Sequence, residues 1–402
     1  MVDDSKTKEK AEGPRILVVD DNDDNRYTLT LYLDLEGYSN VAVARDGEEA
    51  IAVLKQGVFD LVLLDVMMPK VDGYQVLSWV KGESRLRDLP VIMISALNEV
   101  NSIVRCIELG ALDYLMKPFN PVLLKARITS SLERKRLRDE INDHLARLEE
   151  ELEAARQLQL GMVPQVFPAP TTDQPVEVFA MMEPAREVGG DLYDFFYCPD
   201  GRLCFLVGDV SGKGMAAALF MARTKSLIRL AAELTHGADN SRAGSADIVA
   251  RVNRELCQNN PEMMFVTLFV GMLHTGTGEL QFCNAAHNLP YRLLGGSVEA
   301  LDGPKGLALG IKADALYMPG RMSMARGEMI YLYTDGVTEA INDGEELFAE
   351  ARLEAVLRTV AQQSSADVVK SVAAAISNFV AAAPQADDIT AMAIRWSGAS
   401  PS

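Results

Sequence analysis

Asp20-Asp21, Asp65, Ser95 and Lys117 each follow a short apolar run, at 16–19, 61–64, 91–94 and 112–115. In a parallel α/β sheet such positions fall at the carboxyl ends of strands, where ligands gather. Three carboxylates meeting at one rim repel one another unless a hard cation holds them, and Mg²⁺ takes oxygen ligands in that way. One carboxylate can then attack phosphorus and form an aspartyl phosphate. Lys117 supplies a point charge for the phosphoryl oxygens and Ser95 a hydroxyl donor. Taken singly, each residue reads as a turn, a helix cap or a solvated charge. Together they describe a phosphoryl-transfer site.

Four further acidic stretches lie in the C-terminal half: Gly189-Gly190-Asp191-Leu192-Tyr193-Asp194, Gly208-Asp209-Val210-Ser211-Gly212-Lys213-Gly214, Thr334-Asp335-Gly336 and Ala386-Asp387-Asp388. Three abut an apolar strand, and glycine beside aspartate lets backbone approach a cation or phosphate closely. Oxygen donors without Cys or His point to Mg²⁺ or Mn²⁺ rather than zinc. Two such ions about 3.5–4 Å apart can generate hydroxide and clamp a phosphoryl group, so the reaction class is metal-assisted hydrolysis of a phosphate ester. Gly208 to Gly214 is not a P-loop, because the spacing is one short and Gly214 stands where Ser or Thr is needed. Each Gly-Asp pair alone also fits a hairpin turn. His287, at the end of a strand, reads as a hydrogen-bonded structural residue.

The elements that position these residues follow from pattern. Apolar runs at 16–19, 41–43, 61–64, 91–94 and 112–115, separated by helices at 25–36 and 48–55, argue for a doubly wound parallel sheet. From Pro121 a polar helix runs to about Gly161, and Ile141, Leu145, Leu148, Leu152 and Ala155 form a heptad seam. Arg134 and Arg138 would occupy that seam upstream, so its register shifts near Leu137. A homodimeric coiled coil is the preferred reading, against an amphipathic helix packed on its own domains. Beyond a proline-rich linker (Pro164, Pro168, Pro170, Pro175), strands at 176–180, 203–207, 266–273, 280–283, 329–333 and 390–394 alternate with helices at 216–233, 246–258 and 350–382. Antiparallel sheets with flanking helices fit that order.

The 402-residue chain carries 57 Asp+Glu against 39 Lys+Arg, a formal charge of −18, and five cysteines without a CxxC or zinc pattern. Such acidity disfavours nucleic acid and anionic membrane as partners. No apolar run reaches the ~20 residues of a membrane span, and no signal peptide is visible at 1–15. A cytoplasmic, multidomain protein with reduced cysteines is expected. The domains are expected at 14–127, 128–163 (the helical linker) and 164–397, after a disordered tail at 1–13.

Val18-Val19-Asp20-Asp21, Leu63-Leu64-Asp65-Val66-Met67-Met68-Pro69, Ile94-Ser95-Ala96 and Asp113-Tyr114-Leu115-Met116-Lys117-Pro118-Phe119 resemble the motifs of response-regulator receiver domains. The resemblance implies a flavodoxin-like fold, Asp65 as phosphoacceptor, and Mg²⁺ held by Asp20, Asp21, Asp65 and the Met67 carbonyl. It also implies a Ser95–Tyr114 switch pair, Lys117 before a cis proline, and a sensor histidine kinase or phosphotransfer protein as phosphodonor. The C-terminal stretches, with Leu158-Gln159-Leu160 and Met162-Val163-Pro164 as entry segment, resemble the bacterial PP2C-type serine/threonine phosphatases of the SpoIIE and RsbU kind. That implies an αββα sandwich with two Mg²⁺ or Mn²⁺ ions between its sheets. By motif, Asp209 bridges the ions with help from the Val210 carbonyl, Asp191 and Asp335 serve one each, and Asp387 or Asp388 completes the site. Asp194 is a weaker candidate. The implied substrate is a phosphoserine or phosphothreonine protein, in this branch an anti-sigma-factor antagonist (STAS) protein.

Three classes of function are consistent with parts of the chain. A regulated phosphatase needs the intact aspartate set, which is present. A non-catalytic adaptor that sequesters a regulatory protein would fit the loss of one of these aspartates. A transcription factor would need a basic recognition helix, which an acidic chain does not offer.

Overall fold

A computed structural model describes residues 13–96, 100–234 and 244–398, with 100–103 in backbone only. The expected disordered tail at 1–13 lies outside these residues, apart from Gly13. The chain divides into two units, Met1–Leu148 and Glu149–Ser402.

In the first unit β1 (Ile16–Val19), β2 (Val41–Ala44), β3 (Leu61–Asp65), β4 (Val91–Ser95) and β5 (Asp113–Met116) form a sheet in the order β2-β1-β3-β4-β5, parallel throughout. Helices α1 (Asp23–Leu35), α2 (Gly47–Gln56), α3 (Gly73–Gly82) and α4 (Val100–Glu108) connect the strands, and α5 (Pro121–Met162) follows β5. Alternate strand residues point to opposite faces, and both faces are covered. Leu17, Val62 and Leu64 pack with Leu54 and Leu77, whereas Ile16, Leu61 and Leu63 pack with Leu29, Leu33 and Ile128. Double coverage is why these strands read as unbroken apolar runs. The sequence pattern misses α3, a helix defined by the Asp72–Gln75 capping box more than by long periodicity.

α5 is continuous over 42 residues and passes through the division between the units. Its first turns face the receiver-like sheet: Leu124 and Ile128 are buried there, Lys135 lies 3.1 Å from Asp60, and Arg138 lies 3.4 Å from Asp88. The Asp88 contact accounts for Arg138, one of the two arginines that interrupt the heptad upstream. Farther along, Ile141, Leu145 and Leu148 are more than half exposed. Among the described residues no helix is long and apolar enough to cross a membrane.

The second unit holds two sheets. β7 (Leu192–Tyr197), β8 (Leu203–Val210), β9 (Val266–Leu273), β10 (Glu279–Ala285) and β13 (Lys305–Gly306) form one, with β14 (Gly320–Ser323) also on β10; β6 (Val176–Glu183), β11 (Tyr291–Leu294), β12 (Ser297–Ala300), β15 (Met329–Tyr333) and β16 (Ile389–Trp396) form the other. All pairings are antiparallel except the two-residue β10–β13 ladder. Phe205, Phe269 and Phe282 from the first sheet meet Ile330, Met392 and Ile394 from the second in the inner core. The outer face of the first sheet packs against α6 (Met215–Leu234) and α7 (Ser245–Leu256), and that of the second against α8 (Ala349–Val360) and α9 (Ser365–Val380). The result is the expected αββα sandwich. The single helix anticipated over 350–382 is in fact two, because the Ser364 side chain accepts the Asp367 amide and starts a new helix.

Candidate functional site

In the first unit the strand ends bring the expected residues together. Oxygens of Asp20, Asp21 and Asp65 all lie within 4.8 Å of one another. Asp20 follows β1 and is fully buried; its Oδ1 accepts from the Asn22 amide and from Asn25 Nδ2, both at 3.0 Å. Lys117 Nζ reaches Asp20 Oδ2 at 2.8 Å and Asp65 Oδ2 at 2.9 Å. Burial raises the Asp65 carboxyl above its ordinary range, with the Asp20 and Asp21 charges adding to it against the pull of Lys117. Burial alone would lower Lys117, but its bonds to Asp20 and Asp65 hold it above its usual value. The Lys117 amide donates to the Ser95 carbonyl at 2.9 Å, tying the end of β5 to the end of β4. Ser95 is buried, Tyr114 is half-buried on β5 opposite Met93, and the Lys117–Pro118 bond is cis. The Met67 side chain is exposed in the loop after β3.

In the second unit the four aspartates converge on one edge of the sandwich, at the start of β7, the end of β8, the end of β15 and the start of β16. Asp191 stands one residue before the Leu192–Gly208 pair of β7 and β8, which puts it across the ladder from Asp209. The Thr334 hydroxyl, on the other sheet, donates to Asp191 Oδ2 at 2.8 Å. Burial first, and then the Asp209 charge, push Asp191 well above the usual carboxylate range. Asp209 is pushed up to about 7 by burial and by Asp335, Asp387 and Asp388, with Lys213 opposing. Asp335 and Glu339 are raised in the same way, by burial and by Asp387 among others. Among the described residues Asp20–Asp21–Asp65 is the one group with three such oxygens within 4.8 Å of one another; the second set is more widely spaced. Carboxylates that raise one another, with all-oxygen donors, fit divalent cations in both places.

Asp387 and Asp388 part company here. Asp388 Oδ1 accepts the Ala185 amide at 2.8 Å and Oδ2 the Gly190 amide at 2.7 Å, so it clamps the loop before β7. Asp387 is on the open side, 3.0 Å from Lys213 Nζ. The glycines serve this clamp: a Cβ on Gly189 would sit 2.1 Å from Asp388 Oδ2, and one on Gly336 would sit 1.9 Å from the Asp388 carbonyl. Their close approach is to the chain itself. The weaker candidate Asp194 is corrected outright, because its oxygens are taken by Lys225 at 2.8 Å and by Arg229 at 2.6 Å. His287 is structural as expected. Its Nδ1 lies 2.9 Å from Thr267 Oγ1, Asn284 brackets its backbone, and burial lowers it to about 4.

Gln159 is a residue whose role the sequence conceals. On α5 it is buried, with Nε2 donating to the Gly189 carbonyl at 2.6 Å and Oε1 accepting the Gly189 amide at 3.0 Å. The sequence offers Gln159 only as part of Leu158-Gln159-Leu160, the entry segment of the SpoIIE and RsbU resemblance, and says nothing of its contact with Gly189.

The model of the response regulator receiver domain family matches residues 16–129, and that of stage II sporulation protein E (SpoIIE) matches residues 199–397. This chain joins a receiver domain to a SpoIIE-type PP2C domain. The SpoIIE-type half shares its fold with the SiaA-PP2C domain of Pseudomonas aeruginosa, at a TM-score of 0.55 and 22% identity over 63% of this chain and 98% of that one. Protein IcfG of Synechocystis sp. is 30% identical over 275 residues, 63% of this chain and 42% of that protein. The probable transcriptional regulator ycf27 of Cyanidium caldarium is 46% identical over 127 residues, 32% of this chain and 49% of that protein. The chain thus spans less than half the length of either curated relative. Both domain families use divalent metal ions, and a receiver implies an upstream phosphodonor.

Proposed function

We propose that this chain is a two-component response regulator whose output is a metal-dependent protein serine/threonine phosphatase. The observation that carries the reading is the convergence of Asp191, Asp209, Asp335 and Asp387 from two sheets onto one edge, with Asp209 raised to about 7 by burial first and then by its acidic neighbours. Asp209 lies centrally and, with the Val210 carbonyl beside it, would hold Mg²⁺ or Mn²⁺. Asp191 and Asp335 would each contribute to holding the ions, Asp387 would complete the set, and Asp388 positions the loop that carries Asp191. Divalent ions held there would supply an acidified water and neutralise phosphoryl charge. Thr334 orients Asp191, and His287, neutral at physiological pH, supports Thr267 opposite Asp209. The substrate is a phosphoserine or phosphothreonine protein of the anti-sigma-factor antagonist (STAS) class.

In the receiver, an Asp65 carboxylate oxygen attacks the phosphorus of a phosphohistidine on a sensor kinase or phosphotransfer protein; the O–P bond forms as the P–N bond breaks, and the donor imidazole leaves, taking a proton from solvent. Asp20, Asp21 and the Met67 carbonyl would hold Mg²⁺ beside it. Lys117 leaves its two carboxylate partners for the new phosphoryl oxygens, and Ser95 donates to them. Because Lys117 N is bonded to Ser95 O, the ends of β4 and β5 move together, and Tyr114 follows. The exposed Ile141, Leu145 and Leu148 stripe pairs α5 with that of a second copy. Turnover of a chromogenic phosphate monoester with Mn²⁺, wild type beside Asp209→Ala, tests the output. Equal rates would sink the hydrolase, and no rate in either would favour the adaptor. A small phosphodonor with Mg²⁺ should label wild type and leave Asp65→Ala blank.

A further inference from the structure

Lys213 is the basic side chain set into the acidic edge. Its Nζ lies 3.0 Å from Asp387 Oδ2 and 2.8 Å from the Ala386 carbonyl. An ammonium has three donors and no acceptor, so in this position it does part of what a cation does for the cluster. Its charge also opposes the rise of Asp209, Asp335 and Glu339. The contact is exchangeable, since the side chains of Lys213 and Asp387 are 41% and 38% exposed. The residues on either side of it are glycines with open space around them. Gly212 and Gly214 have φ of 89° and 75°, and no atom lies within 4 Å of a Cβ built on either. Upstream, Ser211 is pinned by two bonds to the Phe265 backbone, its amide to the carbonyl and its Oγ from the amide, each 2.9 Å. Downstream, α6 begins at Met215. The segment that can re-aim is therefore 212–214.

We propose that Lys213 is a tethered counter-cation that occupies the Asp387 end of the acidic edge in the ion-free protein and must be displaced before a divalent ion reaches Asp387. This rests on the metal-dependent reading above. Asp387 Oδ1 accepts the Asp388 amide at 2.9 Å and Oδ2 faces the ammonium, so a dication arriving at Asp387 would meet a like charge at contact distance, and its binding there is competitive with the lysine. The pair keeps four mutually repelling carboxylates together without metal, and it makes the Asp387 ion the weaker of the two. Swinging away, Lys213 leaves Asp387 free without moving either β-strand that carries the cluster.

Calorimetric titration of the full chain with Mn²⁺ tests this without reference to turnover, and the receiver's own ion contributes equally to every variant compared. Lys213→Met should tighten the weaker Mn²⁺ site about fivefold, the scale of a partly exposed ion pair. Lys213→Arg should stay near wild type. The gain should vanish when Lys213→Met is made in an Asp387→Asn background. Unchanged or weaker Mn²⁺ binding in Lys213→Met, or a gain that persists without Asp387, overturns the proposal. Asp209→Asn separates the two levels: if it binds Mn²⁺ as wild type does, the metal site itself is wrong. If it loses binding while Lys213→Met matches wild type, only the counter-cation fails.

Discussion

Replacing Gln159 by leucine removes two buried hydrogen bonds at nearly constant volume. The Gly189 amide and carbonyl both lose their partner, and Gly189 itself is buried. A buried backbone group left without a partner costs about 1–3 kcal/mol. Allowing for partial rehydration, the pair costs about 2–4 kcal/mol in the stability of the ordered loop. That loop continues through Gly190, held by Asp388, into Asp191, so the cost falls on the arrangement that receives the ion. At about 1.4 kcal/mol per factor of ten, Mn²⁺ binding should weaken some thirty- to several-hundred-fold, with monoester turnover falling alongside. Calorimetric titration with Mn²⁺ and a turnover assay at saturating Mn²⁺ read this directly. Gln159→Glu keeps an acceptor for the Gly189 amide and should lose about half as much in free energy. If Gln159→Leu binds Mn²⁺ and turns over within twofold of wild type, the link from α5 to Asp191 does not exist.

Three further outcomes are expected. Asp209, at about 7 in the fold against an ordinary 3.8, favours its protonated form there, so its stabilising contribution is complete below about pH 4 and is lost as pH rises through about 7. Metal-free Asp209→Asn, which cannot titrate, should therefore gain stability over wild type from pH 5 to 7, by at most roughly 4 kcal/mol, and level off above; a melting-temperature difference that runs the other way refutes it. Gly336→Ala places a methyl 1.9 Å from the Asp388 carbonyl and should cost about 2–3 kcal/mol in thermal unfolding, a cost that an unchanged melt would contradict. Leu145→Glu with Leu148→Glu should convert a dimer to a monomer by light scattering and uncouple Asp65 phosphorylation from turnover; an intact dimer with intact coupling would remove the seam.

The sequence by itself determined the parts that depend on local pattern. Continuous apolar runs marked the receiver strands, because a sheet covered on both faces needs no polar alternation. Carboxylates at the ends of such runs marked the two acidic sites, at or just after the run for Asp20, Asp65, Asp209 and Asp335 and just before it for Asp191 and Asp387, because strand ends are where backbone leaves a sheet and side chains meet. Tertiary structure alone decided which carboxylate faces outward. Asp387 and Asp388 are chemically identical neighbours, and only the Ala185 and Gly190 amides, some two hundred residues earlier, take Asp388 out of the open edge. Asp194 was likewise ambiguous until Lys225 and Arg229 closed on it from α6. The interrupted heptad on α5 made sense once Arg138 met Asp88. Residue type and spacing state what a group can do; its partners, brought from distant segments by sheet pairing and core packing, state which of its lone pairs remain available to do it.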